Sequence, residues 1–291
     1  MDDKSNHPRN LSPILGVNNM AIKIRKASTY LTDGAAIKVL LYASAGTGKT
    51  WMAAQAPNPV IVLTEKNGLT SVAHSNPNAM IVEVTDADEL FKVIVDAQDG
   101  HIDAQDEKGK VHKVKFDTLV IDSLTEAQRL IKDRILKQAN REDMILKDWN
   151  TLTNHMQRMI RAIRDLPVNV ICTALMEESY EESSGTRYIK PQFDGKKTTQ
   201  QISQYFNMVG YLFKKDGGKA TSNELQTRYL MLDGPNNVMC KPAHPVVGTI
   251  ENPNISQILS DIKSFGKEPE SKQADVKSLT NNNQSRRRMR K

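Results

Sequence analysis

Disulfides are the first thing this 291-residue sequence lacks. It has two cysteines, Cys172 and Cys240, with neither a disulfide framework nor the paired spacing of a metal site. Cys172 lies inside an apolar run and reads as a buried thiol, which suits a reducing compartment. Aromatic residues are scarce at 5% and apolar residues make up 38%, so part of the chain is expected to lie outside any core. No apolar run approaches the ~20 residues of a membrane-spanning helix. The first ten residues, MDDKSNHPRN, contain no hydrophobic signal region. Together these absences argue against a disulfide-stapled secreted domain and a membrane protein, and predict a cytoplasmic one.

Net charge is also absent from most of the chain. Residues 263–291 hold nine Lys/Arg against three Asp/Glu, a net of +6, whereas the other 262 residues hold 31 of each sign. The tail closes on SRRRMRK, has almost no apolar residues, and is expected to be disordered. A flexible basic end suits a polyanion or an acidic partner, such as the acidic tail of a single-strand-binding protein. A merely solubilising tail is the plain alternative.

What is present is an alternation. Apolar strands at 36–43, 59–65, 79–84, 116–123 and 168–176 are interleaved with amphipathic helical segments at 86–98, 124–138 and 146–165. That pattern predicts an α/β fold with a mostly parallel, doubly wound sheet. AIKIRKA (21–27) reads as an edge strand able to add to a neighbouring copy. GHIDAQDEKGKVHKV reads as a hairpin or excursion. After Met176 the texture changes to about 25 residues without apolar periodicity, expected to be an irregular loop. YFNMVGYLFKK and LQTRYLMLDG then read as late strands added antiparallel at the sheet edge. The expected organisation is a disordered leader at 1–19, one core at 20–262, and the tail.

The most informative stretch is KVLLYASAGTGKTWMAAQ, where a buried strand runs through a small-residue loop into a helix. This is the context that gives a phosphate-loop match meaning. Ala43, Ser44, Ala45, Gly46, Thr47, Gly48, Lys49, Thr50 and Trp51 are the candidate nucleotide-binding residues. Gly46 and Gly48 let backbone amides turn toward phosphate, and the helix N-terminus adds a fixed positive end. Lys49 is placed to reach the β- and γ-phosphates of ATP, and Thr50 to put a hydroxyl on Mg²⁺. Ala43 stands where the usual pattern has Gly, which is tolerable if its φ is negative. DTLVIDS supplies a strand-terminal carboxylate, Asp122, for the metal; capping the next helix is its plain alternative. The following position, a catalytic Glu in many motor ATPases, is Ser123. The candidate catalytic base is therefore Glu65, at the end of VIVLTE, with a solvated loop acid as the alternative. Thr173 sits at a strand end where a polar group can sense the γ-phosphate, though threonine is common there without such a role. In the irregular stretch, Arg187, Tyr188, Lys190, Phe193, Lys196 and Lys197 interleave cations with aromatics, as a single-stranded DNA site does. A surface loop whose aromatics pack on the domain is the alternative.

These residues resemble the RecA-type ATPase core. ASAGTGKT, LTEKNG, FDTLVIDSLTE, LPVNVICTA and IKPQFDGKKTTQQISQYFNMVGYLFKK are together similar to the phage-encoded RecA-like ATPases of the Sak group, over roughly residues 20–250. The resemblance implies a RecA-like P-loop NTPase acting in single-strand annealing or recombination, in the host cytoplasm. It implies ATP and Mg²⁺ as cofactors, with Lys49 and Thr50 at the phosphates and metal, Asp122 at the metal and Glu65 as water-activating base. It implies DNA contact by residues 177–197. It also implies a homo-oligomer or filament in which a cation from the neighbour completes the site, the candidates being Lys214, Lys215 and Arg228. Two other classes stay open: a different motor ATPase (helicase, loader or DNA-packaging subunit), and a nucleotide-regulated DNA-binding module without essential catalysis.

Overall fold

Strand β1 (Lys38–Ala43) is buried at every position. A strand covered on one face alternates polar and apolar residues; one covered on both faces has no need to. The computed structural model, which describes residues 36–105, 108–215 and 227–265, shows both covers. The leader, the expected strand at 21–27 and nearly all of the basic tail lie outside the described residues.

In chain order the further elements are α1 (Lys49–Ala53), β2 (Pro59–Leu63), α2 (Leu69–Ser75), β3 (Met80–Glu83), α3 (Ala87–Asp96), β4 (His101–Gln105) and β5 (Val111–Lys115). Then come β6 (Thr118–Asp122), α4 (Leu124–Ala139), α5 (Leu146–Asp165), β7 (Asn169–Glu181), β8 (Thr186–Pro191) and α6 (Lys196–Gln201). β9 (Met208–Lys214), β10 (Arg228–Met231), β11 (Thr249–Glu251) and α7 (Ile255–Ser264) complete the described chain. The central sheet has the order β11-β10-β9-β1-β7-β6-β2-β3, with β8 paired to β7 and β4–β5 a separate hairpin. All strands from β9 to β3 in that order are parallel, and β10 and β11 are antiparallel at the edge.

Successive residues of the central strands feed opposite cores. Val39, Leu41 and Ala43 pack with Met52 of α1, Val72 of α2 and Leu259 of α7. Leu40 and Tyr42 pack with Leu90 of α3, Ile131 of α4 and Ile163 of α5. The α5 stripe of Leu152, Met156, Met159, Ile160 and Ile163 follows the 3.6-residue period of a helix with one buried face. Asp86 caps α3 by accepting from the Asp88 and Glu89 amides, and Ser123 caps α4 by accepting from the Glu126 amide. A buried lysine fixes the start of β1. The Lys38 ammonium donates to the carbonyls of Leu166 (2.8 Å) and Val168 (2.6 Å), and burial lowers its pKa to about 8.

Two expectations are corrected. β9 is not an antiparallel edge strand; it pairs parallel with β1, Val39 to Tyr42 opposite Met208 to Tyr211. The chain reaches it through α6 and a 3₁₀ turn (Ile202–Tyr205), the crossover that a parallel neighbour requires. The stretch after Met176 is not irregular either. β7 continues to Glu181 and turns back as β8, Met176 pairing with Pro191 and Glu181 with Thr186.

Candidate functional site

β1, β7, β6 and β2 all run the same way, so their carboxyl ends open on one crevice. There β1 gives way to residues 44–48 and then to α1. Gly46 and Gly48 have φ of 72° and 104°, in the region where a side chain is strained. Ala43 is still within β1, paired with Leu175, so the position needs no glycine. Among the described residues, the amides of residues 45–48 have no protein acceptor, which leaves them free to cradle an anion. Thr47 Oγ1 donates to the Ser44 carbonyl at 2.9 Å, tying the loop to itself.

Lys49 reaches back along the loop, its ammonium donating to the carbonyls of Ala43 (3.1 Å) and Ser44 (2.9 Å). Burial lowers its pKa, opposed by the charges of Asp122 and Glu65. Thr50 Oγ1 donates to Asp122 Oδ2 at 2.6 Å, and Thr173 Oγ1, fully buried on β7, donates to Asp122 Oδ1. Asp122, only 8% exposed, is thus held by hydroxyls from the phosphate loop and from the neighbouring strand. A carboxylate beside a threonine hydroxyl is the hard-oxygen donor set that Mg²⁺ takes, with waters and phosphate oxygens filling the remaining positions.

Glu65 lies two residues beyond β2, at the rim of the crevice and exposed to solvent. Partial desolvation there raises its pKa; Glu126 and Asp122 add to the rise, while Arg129 and Lys49 oppose it. The Asp–Ser sequence resolves into two roles. Asp122 faces the loop, and Ser123 caps α4 while its amide donates to Thr64 Oγ1 at 2.9 Å.

Sequence reasoning missed two contributors. Thr64 bridges β2 and β6, donating from its hydroxyl to the Asp122 carbonyl at 3.0 Å. Gly68 lies against Leu63 and Asp122: a Cβ there would meet Leu63 Cδ2 at 2.9 Å and Asp122 Oδ2 at 3.4 Å. The glycine in EKNG was the only available signal.

The β7–β8 hairpin extends from the same carboxyl-end side of the sheet, and its residues sort differently from expectation. Phe193 is 6% exposed and belongs to the core, which removes it from base stacking. Arg187 pairs with Glu178 (3.3 Å), Lys190 with Glu177 (3.6 Å), and Tyr188 Oη donates to Glu181 at 3.3 Å. Tyr180, which the sequence reading did not select, is 66% exposed. Lys197 is exposed on α6, and Lys196 begins that helix.

The three cations expected from a neighbouring subunit divide in two. Lys214 Nζ donates to the Gly46 carbonyl at 3.2 Å, and Arg228 Nε to the Thr47 carbonyl at 2.9 Å, both on their own chain's loop. Lys215 lies instead over the Tyr229 ring, 4.4 Å from its centroid. Adjacency of β9 to β1, invisible in the sequence, brings the first two there. The Arg228 guanidinium also lies 5.3 Å from the Trp51 ring centroid.

A family model described as an AAA domain matches residues 35–242. The chain belongs to this AAA-domain family. It is a P-loop ATPase domain, and the matched residues include the loop and crevice just described. No curated protein matches the sequence. Among solved structures, similar chains include a DnaB-like replicative helicase described with its primase interactions (12% identity, TM-score 0.41). That match covers 82% of this chain and 63% of the helicase chain, so this chain spans less than two thirds of it. A second solved chain, described as an ATPase domain, matches at 12% identity and TM-score 0.40, covering 74% of this chain and 80% of that one. A prototypical ATPase from the type III secretion system of pathogenic bacteria matches at 14% identity and TM-score 0.39, covering 64% and 54%. Among the described residues, no helix is long and apolar enough to cross a membrane.

Proposed function

We propose that this chain is a Mg²⁺-dependent, RecA-like ATPase that acts on single-stranded DNA as an oligomer and promotes annealing or recombination, as the Sak-group resemblance implies. One observation carries the reading. A single strand, β7, bears Thr173 hydrogen-bonded to Asp122 and runs without interruption to the hairpin tip at Glu181. The nucleotide crevice and a protruding surface element therefore share one backbone. A second tie supports it: Gln128 of α4, the helix that follows Asp122, exchanges two hydrogen bonds with the Asp194 backbone beyond β8.

Chemistry in such a site is positional and electrostatic. Lys49 and the loop amides offset phosphate charge. Thr50 and Asp122 would hold Mg²⁺, which when bound neutralises charge on the β- and γ-phosphate oxygens. Glu65 accepts a proton from, or orients, the attacking water, and its raised pKa makes it a stronger base than an ordinary carboxylate. Tyr180, Arg187, Tyr188 and Lys197 are exposed on the proposed DNA-facing surface, Arg187 and Tyr188 being engaged by glutamates of their own hairpin. The basic tail adds sequence-independent attraction to phosphates.

A second reading has its own support. Residues 177–190 hold four glutamates against Arg187 and Lys190, a net charge of −2. That sign suits a protein contact better than a phosphate backbone, as in another type of motor ATPase. The deciding experiment measures ATP hydrolysis with and without single-stranded DNA, alongside annealing of complementary strands and displacement of a paired one. Stimulated hydrolysis with annealing supports the first reading; displacement without annealing supports the second. In a chain ending at residue 265, which retains α7, the salt dependence of DNA binding should flatten. An unchanged slope returns the tail to a solubilising role.

A further inference from the structure

Strands β9 and β10 place two cations where no acid among the described residues meets them. Lys214 and Arg228 stand directly opposite each other on β9 and β10. Like charges in that position repel and destabilise a sheet. Both turn onto the phosphate loop, donating to the adjacent carbonyls of Gly46 and Thr47. Among the described residues neither forms an ion pair, although cations elsewhere on the surface commonly do. Lys49 lies on the same loop, so three cations surround residues 44–48.

Their seats are built. β9 is locked to β1 by parallel pairing, which fixes where Lys214 emerges relative to the loop. Arg228 lies flush on Gly48, where a Cβ would come within 2.7 Å of its Nε, and against the Trp51 ring. Lys49 has Asp122 and Glu65 as counter-charges, whereas Lys214 and Arg228 have none among the described residues; two such cations on a phosphate loop call for an anionic ligand.

We propose that Lys214 and Arg228 are phosphate-binding residues acting in cis, engaging the polyphosphate of the nucleotide held by their own chain's loop. This rests on the ATPase reading, and it assigns to the same subunit two cations that the resemblance would donate from a neighbour. Arg228, with several N–H donors and one committed to Thr47, can hold the loop and a phosphate oxygen together. The Trp51 ring keeps its plane in place.

The test is binding of a non-hydrolysable ATP analogue, ADP and AMP to the full chain and to Lys214→Met, Arg228→Met and Arg228→Lys, with melting temperatures. Each Met variant should lose about tenfold in affinity for the triphosphate analogue, as expected for a charge-assisted hydrogen bond. The loss should shrink for ADP and vanish for AMP, and Arg228→Lys should recover part of it. An equal mixture of Lys49→Ala and Arg228→Met chains should hydrolyse no more ATP than the two measured apart. Recovery of activity in the mixture would overturn the proposal in favour of donation between subunits. Unchanged binding by a folded Met variant would overturn it too, as would an equal loss for all three nucleotides accompanied by a lower melting temperature. Failure of the unmodified chain to bind any nucleotide would instead remove the ATPase reading itself.

Discussion

The phosphate-loop crevice and the β7–β8 hairpin stand on the same side of the sheet, at the carboxyl ends of its central strands, and both are rich in charge. In the crevice, polar groups converge from different elements: Thr50 from α1, Asp122 from β6 and Thr173 from β7. In the hairpin, charges face each other across two strands of one segment, Glu177 opposite Lys190 and Glu178 beside Arg187. The first arrangement leaves cationic donors directed at the loop; the second neutralises its own cations. Residue types alone therefore say little about binding. Which groups remain without a protein counter-charge says far more.

The comparison can be broken at its strong end first. Lys49→Ala should abolish measurable ATP hydrolysis, a loss of at least ~100-fold, because the preorganised charge on the transferring phosphate goes with it. Turnover at the unmodified rate would place the chemistry elsewhere. Glu65→Gln should keep nucleotide binding and lose hydrolysis by roughly 10²–10³, the scale of a general base. The same residue sets a pH prediction. Its pKa is raised, so as pH falls through that raised value Glu65 gains a proton and the rate drops. The acid limb should therefore lie above the ordinary carboxylate range. A Glu65→Gln variant with the same rate and the same limb would show that another group is the base.

The smallest effect sharpens the other side. If Arg187 and Lys190 are neutralised by their own hairpin, the double variant Glu177→Gln, Glu178→Gln should raise affinity for single-stranded DNA a few-fold and steepen its salt dependence. These pairs are exposed and individually weak, so stability should change by less than ~1 kcal/mol. No change in DNA affinity would mean that the hairpin does not meet DNA and would favour the protein-contact reading.

Much of the architecture was legible without coordinates. β1, β2 and β6 begin and end within two residues of the predicted runs, because strands covered on both faces are written as unbroken apolar segments. The α5 boundaries, 146–165, follow from its periodicity. The phosphate loop and Asp122 were legible because backbone-turning glycines and a strand-terminal acid are local features. What escaped was non-local. The outer half of β7 has no apolar alternation, since it stands clear of the sheet and pairs only with β8. The aromatic at 193 looked available for stacking but packs in the core. Thr64 gave no local reason to be singled out and Gly68 only its residue type, and their importance comes from β2 lying beside β6.

The sequence by itself determined a doubly wound α/β core, a phosphate loop after its first buried strand, and a carboxylate at the end of another. Each depends on residues adjacent in the chain, where periodicity and turn chemistry act directly. Only the tertiary structure decided that β9 enters beside β1, and hence that Lys214 and Arg228 rest on their own loop. Strand order is set by how distant segments share two cores, and no local pattern records it.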